Sequence, residues 1–361
     1  SVKQEKREYM SGISIIPFGE TEKGEKTALY KITNRSGASV TVCSFGGSIV
    51  SLKVPDREGR MTDVVLGYDH LTEYEQGKAF FGALIGRCPN RIAQGRIKIG
   101  GKEYQLARNN GPNHLHGGPG GFARRVWEVQ AEDGSLHLHL TSADMEEQYP
   151  GKLDVDVEYA FDDENRLSIT YRAVSDRDTL CNLTNHVYFN LAGHDSGSVM
   201  NQRVQIHAND YLPVDETLIP TGEICPVTGT PFDFRVPKAI GRDIEAKDDQ
   251  LERGAGYDHN YVLNHQKSEK MWDAASAYSD ETGIGLRCRT TQPGVQFYTG
   301  NHVLAQKGKN GADYAGRQGF CLETQAFPDA VNHSNFPDIL LKANEVYDQE
   351  TVYEFCVGEP C

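Results

Sequence analysis

SLHLHL (Ser135–Leu140) and DVDVEYAFDDENRLSITY (Asp154–Tyr171) decide the fold class. Leu136, Leu138 and Leu140 alternate with His137 and His139, and Val155, Val157, Tyr159 and Phe161 alternate mainly with acidic residues. A period of two places every apolar side chain on one face, as in a strand with one side buried. Asp162–Asn165 supplies a turn, and Leu167, Ile169 and Tyr171 resume the alternation, so the segment reads as an antiparallel meander.

The same pattern continues outward in both directions. Arg96 to Ile99, Gly100-Gly101 and Lys102 to Leu106 read as a hairpin, because two glycines supply the positive φ values of a type I′ turn. Trp272 to Tyr278 and Ile284 to Thr290 flank a turn at Asp280 to Gly283. Helical periodicity is confined to Ile244–Arg253, with Asp243 as its cap. No period of about 20 to 50 residues and no low-complexity linker divides the chain. The expected fold is all-β: one large antiparallel β-sandwich domain over residues 1–361 with a few short helices, residues 1–10 forming a flexible extension.

Composition narrows the function. Lys and Arg number 37 against 51 Asp and Glu, a net charge of −14, which disfavours nucleic acid and anionic lipid and suits a neutral small molecule. The eight cysteines are dispersed without the two-residue spacing of zinc knuckles or redox pairs, and read as free thiols in a reducing compartment. With no apolar run long enough for a membrane helix and no leader pattern, the expectation is a cytoplasmic protein.

Polar residues beside glycine, proline or aromatics mark five stretches: GRCPNRIAQG (Gly86–Gly95), NNGPNHLHGG (Asn109–Gly118), LTNHVYFNLAG (Leu183–Gly193), GYDHNYVL (Gly256–Leu263) and CLETQAFPDAVNHSNFPD (Cys321–Asp338). Such loops on rigid sheets supply acids, bases and hydroxyl-binding groups. His186 is either a core histidine satisfied by a carbonyl or a general acid. Glu323 is either solvent-facing or, if buried, a base with a raised pKa. His116 in its glycine-rich turn reads as a neutral hydrogen-bonding group, whereas His137 and His139 form a solvated face and not a metal site. Arg91 is an ion-pair residue or a cation beside a reacting oxygen, and Asp258 a turn cap or a hydroxyl acceptor.

Taken together, these motifs resemble the aldose 1-epimerases, the galactose mutarotases, from about Gly46 to Tyr353. The matching segments are GGSIVSLKVPDR (Gly46–Arg57), DVVLGYD (Asp63–Asp69), NRIA after Gly86-Arg87, NNGPNHLHGG, TNHVYFNLAGH, YDHN, PGVQFYTGN (Pro293–Asn301) and LETQAFPD. The resemblance implies that His186 is the general acid and Glu323 the general base. It also implies that Asn90, Arg91 and His116 contact the sugar near its ring oxygen, while Asp258 and Gln296 bind more distant hydroxyls. Cys88-Pro89 departs from the Val-Ala of many relatives, which bears on the approach of Asn90 and Arg91 to substrate.

The function expected is interconversion of the α and β anomers of a free hexose, such as galactose or glucose, by acid/base ring opening and reclosure. No metal and no cofactor are expected, and the partner is a small hexose, with the protein a monomer or weak dimer. A glycoside hydrolase or lyase, a sugar-phosphate epimerase and a sugar-binding protein on the same fold are the alternatives. The pairing of Glu323 with a histidine instead of a second carboxylate favours the epimerase.

Overall fold

In the computed structural model the meander lies within a nine-stranded antiparallel sheet, and residues 12–358 and 361 are described. The extension expected at residues 1–10 lies outside the described residues. Ser135–Ser142, Leu153–Phe161 and Arg166–Ser175 are consecutive neighbours in that sheet, as the alternation predicts. The C-terminal strand Val346–Val357 then pairs on one side with Arg166–Ser175 and on the other with Ile284–Thr290, whose partner is Trp272–Tyr278. The last strand therefore joins pieces of sheet far apart in sequence.

Two five-stranded sheets and five two-stranded pairs accompany it among the described residues. The first runs in chain order from Ile13–Glu20 to Met61–Asp63. The second orders Cys225–Pro226, Asp210–Tyr211, Asp258–Val262, Gly294–Tyr298 and Cys321–Gln325. Leu136, Leu138 and Val155 of the large sheet share one continuous apolar cluster with Val40, Ile49 and Leu52 of the first small sheet and Phe297 and Leu322 of the second. Burial of this much apolar surface is the main term holding the layers together. The outward side chains of the meander meet one another instead: His139 Nδ1 lies 2.9 Å from Asp156 Oδ1.

Local chemistry explains the details. Gly100 and Gly101 adopt φ of 56° and 81° between Arg96–Ile99 and Lys102–Gln105, giving the expected hairpin. The helix expected over Ile244–Arg253 is shorter, Asp249–Gly254, and its cap is Asp248, not Asp243. The Asp248 side chain accepts from Gln250 N and Leu251 N, satisfying two first-turn donors, while Ile244 is drawn into the core. A second helix, Leu71–Gln76, was not expected. The reading of all eight cysteines as free also needs correction. Gly358, with φ of 106°, turns the chain back after the last strand, and Cys361 forms a disulfide with Cys356. The other six are free thiols.

One buried ion pair ties the 309–311 turn to the first sheet. Lys309 Nζ donates to Asp63 Oδ2 at 2.7 Å, Val50 O at 2.7 Å and Val65 O at 2.9 Å. Removing one partner of a buried pair leaves the other charge uncompensated. Lys309→Met is therefore expected to lower unfolding free energy by about 3 kcal/mol in chemical denaturation. An unchanged denaturation midpoint would show that this contact does not hold the two segments together.

Candidate active site

Strand Cys321–Gln325 is buried along its whole length. Alternation places Cys321, Glu323 and Gln325 on one face and Leu322 on the other, where it joins the core. Cross-strand register sets Glu323 opposite Gln296 and Gln296 opposite Asn260, with Asp258 two residues away on the same strand as Asn260. Gln296 Nε2 donates to Asp258 Oδ1 at 2.8 Å. Three adjacent strands thus bring Asp258, Gln296 and Glu323 together.

His186 follows the short strand Thr184–Asn185, which pairs with Leu84–Ile85. Its backbone N–H donates to Ala83 O at 2.8 Å and its carbonyl accepts from Gly82 N at 3.0 Å. The imidazole stacks with Phe80 and with Tyr188, at centroid distances of 5.9 and 5.0 Å, and lies edge-on to His116 at 5.2 Å. Its Nε2 is 3.4 Å from Glu323 Oε1.

Asn90 and His116 hold each other. Asn90 N donates to His116 Nδ1 at 2.9 Å, and His116 N donates to Asn90 O at 3.0 Å. Both residues have positive φ, 60° and 49°, a conformation that non-glycine residues adopt only when their surroundings impose it. Because its Nδ1 accepts from a backbone N–H, neutral His116 carries its proton on Nε2 and is a donor. The neighbouring Arg91 is fixed by Nε donation to Asn110 Oδ1 at 2.9 Å.

Exclusion of water sets the electrostatics. Burial pushes the Glu323 carboxyl well above its ordinary range, with Asp258 adding to the rise and Arg91 opposing it. Burial drives the His186 imidazole down to about 4. His116 is held well below the usual imidazole value, first by burial and then by His186 and Arg91. Asp258 is raised by burial, against the pull of Arg91 and the Gln296 hydrogen bond. Two buried acceptors, Glu323 Oε1 and Gln296 Oε1, have no hydrogen-bond partner, and both belong to this cluster. Unsatisfied buried acceptors cost about 1–3 kcal/mol each, and Glu323, which lines the cleft, can accept from a donor that enters it.

All seven residues singled out in the sequence come together here. His186, Glu323, Asn90, Arg91, His116 and Asp258 line a cleft of about 980 Å³, and Gln296 lies beneath through Asp258. Sequence reasoning missed Phe80, Tyr298 and His302, which also line it. Phe80 has φ of 59°, and no feature of its local sequence announces that strain. His116, His186 and Glu323 are close enough to suggest a metal site. The donor chemistry does not fit: a His116 that bound metal through Nε2 would need its proton on Nδ1, against the Asn90 N–H.

Known proteins resemble the chain over most of its length. The family model described as aldose 1-epimerase matches residues 28–354. Galactose mutarotase of Homo sapiens is 45% identical over 350 residues, 97% of this chain and 100% of its own. Aldose 1-epimerase of Escherichia coli (strain K12) is 39% identical over 335 residues, 92% of this chain and 96% of its own. Among solved structures, a GalM/aldose epimerase homologue from C. elegans superposes with a TM-score of 0.85 at 33% identity, over 92% of this chain and all of that one. Galactose 1-epimerase from Lactobacillus acidophilus NCFM gives 0.84 at 28% identity, over 96% and 99%. The tautomer of His116 predicts that protein dialysed against zinc and then buffer retains no stoichiometric metal by elemental analysis. One zinc per chain, lost in His116→Ala, would contradict that assignment.

Proposed function

Since the chain belongs to the aldose 1-epimerase family and interconverts the anomers of hexoses, we propose that Glu323 is its general base and His186 its general acid. One observation carries the assignment: a carboxyl with a buried, unpartnered oxygen lies 3.4 Å from the ring nitrogen of a buried imidazole. Between the depressed value of His186 and the raised value of Glu323, the pair holds one proton as a unit. Burial favours the protonated form of Glu323 and the neutral form of His186, which biases that proton toward Glu323. A sugar hydroxyl donating to the carboxylate favours its transfer to His186 Nε2, giving a base and an acid side by side.

Ring opening then balances simply. Glu323 takes the proton of the anomeric hydroxyl, the bond from C1 to the ring oxygen breaks as the aldehyde forms, and His186 delivers its proton to the ring oxygen. Rotation about the C1–C2 bond exposes the other carbonyl face. The pair is left as protonated Glu323 and neutral His186, which is the state needed to reclose the ring with roles reversed. His116 Nε2–H and the Arg91 guanidinium stabilise charge developing on oxygen, while Asn90, Asp258 and Gln296 position the hydroxyls. A cytoplasmic, monomeric or weakly dimeric enzyme completes the proposal, with six free thiols in keeping with a reducing compartment and the Cys356–Cys361 disulfide counting against it.

Polarimetry of freshly dissolved α-D-galactose and α-D-glucose tests the roles. His186→Ala and Glu323→Ala are each expected to lose about 10²- to 10⁴-fold in kcat, and Arg91→Ala to slow turnover without abolishing it. Either of the first two variants at the wild-type rate would refute its role. The pH dependence follows from the proton count. Below about 4, His186 binds a second proton while Glu323 is still protonated, so no base remains. Activity is therefore expected to stay level through neutral pH and to fall only as pH drops toward about 4. An acid limb at the ordinary imidazole value would mean that His186 is not held in a dry site.

A further inference from the structure

His186 is met at both of its ring nitrogens by one strand. Cys321 and Glu323, two residues apart, project from the same face of Cys321–Gln325. Glu323 Oε1 lies 3.4 Å from Nε2, and Cys321 Sγ lies 3.6 Å from Nδ1. The ring-opening steps use only Nε2. If the proton that stays on the ring were free to move between nitrogens, some of the neutral molecules would present a protonated Nε2 to Glu323, with no lone pair to take its proton.

We propose that Cys321 is a positioning residue: its sulfur accepts the Nδ1–H of His186, holds that proton in place, and leaves Nε2 to exchange with Glu323 and the sugar. The proposal rests on His186 as the acid. Burial keeps the thiol well above its ordinary range, with Glu323 and Asp258 adding to the rise, so the sulfur is uncharged at neutral pH. A backbone hydrogen bond of His186 itself also favours a proton on the ring.

A thiol suits this place because it is a weak acceptor. A carboxylate there would stabilise the imidazolium and make it a poorer acid, whereas sulfur orients the ring without adding charge. The other groups facing the imidazole do not serve Nδ1. Glu323 addresses Nε2, His116 and Tyr298 meet the ring at an angle, and Phe80 and Tyr188 stack with it. Asp258 and Arg91 act on Glu323.

The test compares Cys321→Ala, Cys321→Ser and His186→Ala by polarimetry across pH, with tryptophan fluorescence as the control for folding. Cys321→Ala is expected to lose about ten- to a hundredfold in kcat with KM little changed, as for a misaligned catalytic group. Cys321→Ser restores most of that loss. Its hydroxyl, a stronger acceptor, raises the His186 pKa and moves the acid limb up by roughly one pH unit. Wild-type kcat and pH profile in both cysteine variants would overturn the proposal, as would equal losses with an unmoved limb. Wild-type activity in His186→Ala would instead overturn the acid assignment on which it rests. Should neither cysteine variant fold, ¹⁵N NMR of histidine-labelled wild-type protein decides: neutral His186 protonated on Nδ1 supports the proposal, and protonation on Nε2 refutes it.

Discussion

The withdrawal of water from a single carboxylate, that of Glu323, is the constraint around which the site is built. A glutamate in water is a weak base with no reason to hold a proton near neutral pH. Buried beside an imidazole that is also denied water, it becomes one half of a pair sharing one proton. Burying it costs stability, and the continuous core to which the neighbouring Leu322 belongs offsets that cost.

The fold suits this arrangement because strand register fixes side chains without help from flexible segments. Asp258, Gln296 and Glu323 lie where they do because Asp258–Val262, Gly294–Tyr298 and Cys321–Gln325 are hydrogen-bonded neighbours. Turns add the remainder, and they are locked in turn: Asn90 and His116 hold each other in left-handed conformations through two reciprocal hydrogen bonds. The rigidity of the sheets and the strain in the turns both serve positioning, which is where much of the rate of a proton-transfer reaction originates.

Strands with one wet face were legible from sequence because a period of two survives wherever polar and apolar residues alternate, as in Ser135–Ser142 and Leu153–Phe161. Cys321–Gln325 is buried on both faces, so alternation alone did not place Glu323 inside or outside. Motif resemblance pointed to Glu323 where periodicity left its face open. The helix near Ile244 was misplaced because two aspartates, Asp243 and Asp248, each look like a cap, and only the packing of Ile244 chooses between them. The disulfide was missed because its partners lie five residues apart and depend on a turn at Gly358. Phe80 and Cys321 touch His186 from more than a hundred residues away in sequence, a relation that no local pattern encodes.

Infrared difference spectroscopy of wild type against Glu323→Gln reads most directly whether burial holds the Glu323 carboxyl toward its protonated form until a sugar binds. The expected result is the carbonyl stretch of a protonated carboxyl at pH 7, absent from the variant and lost to a carboxylate signal when hexose is added. A Glu323 already ionised at pH 7 without sugar, and unchanged by its addition, would contradict it.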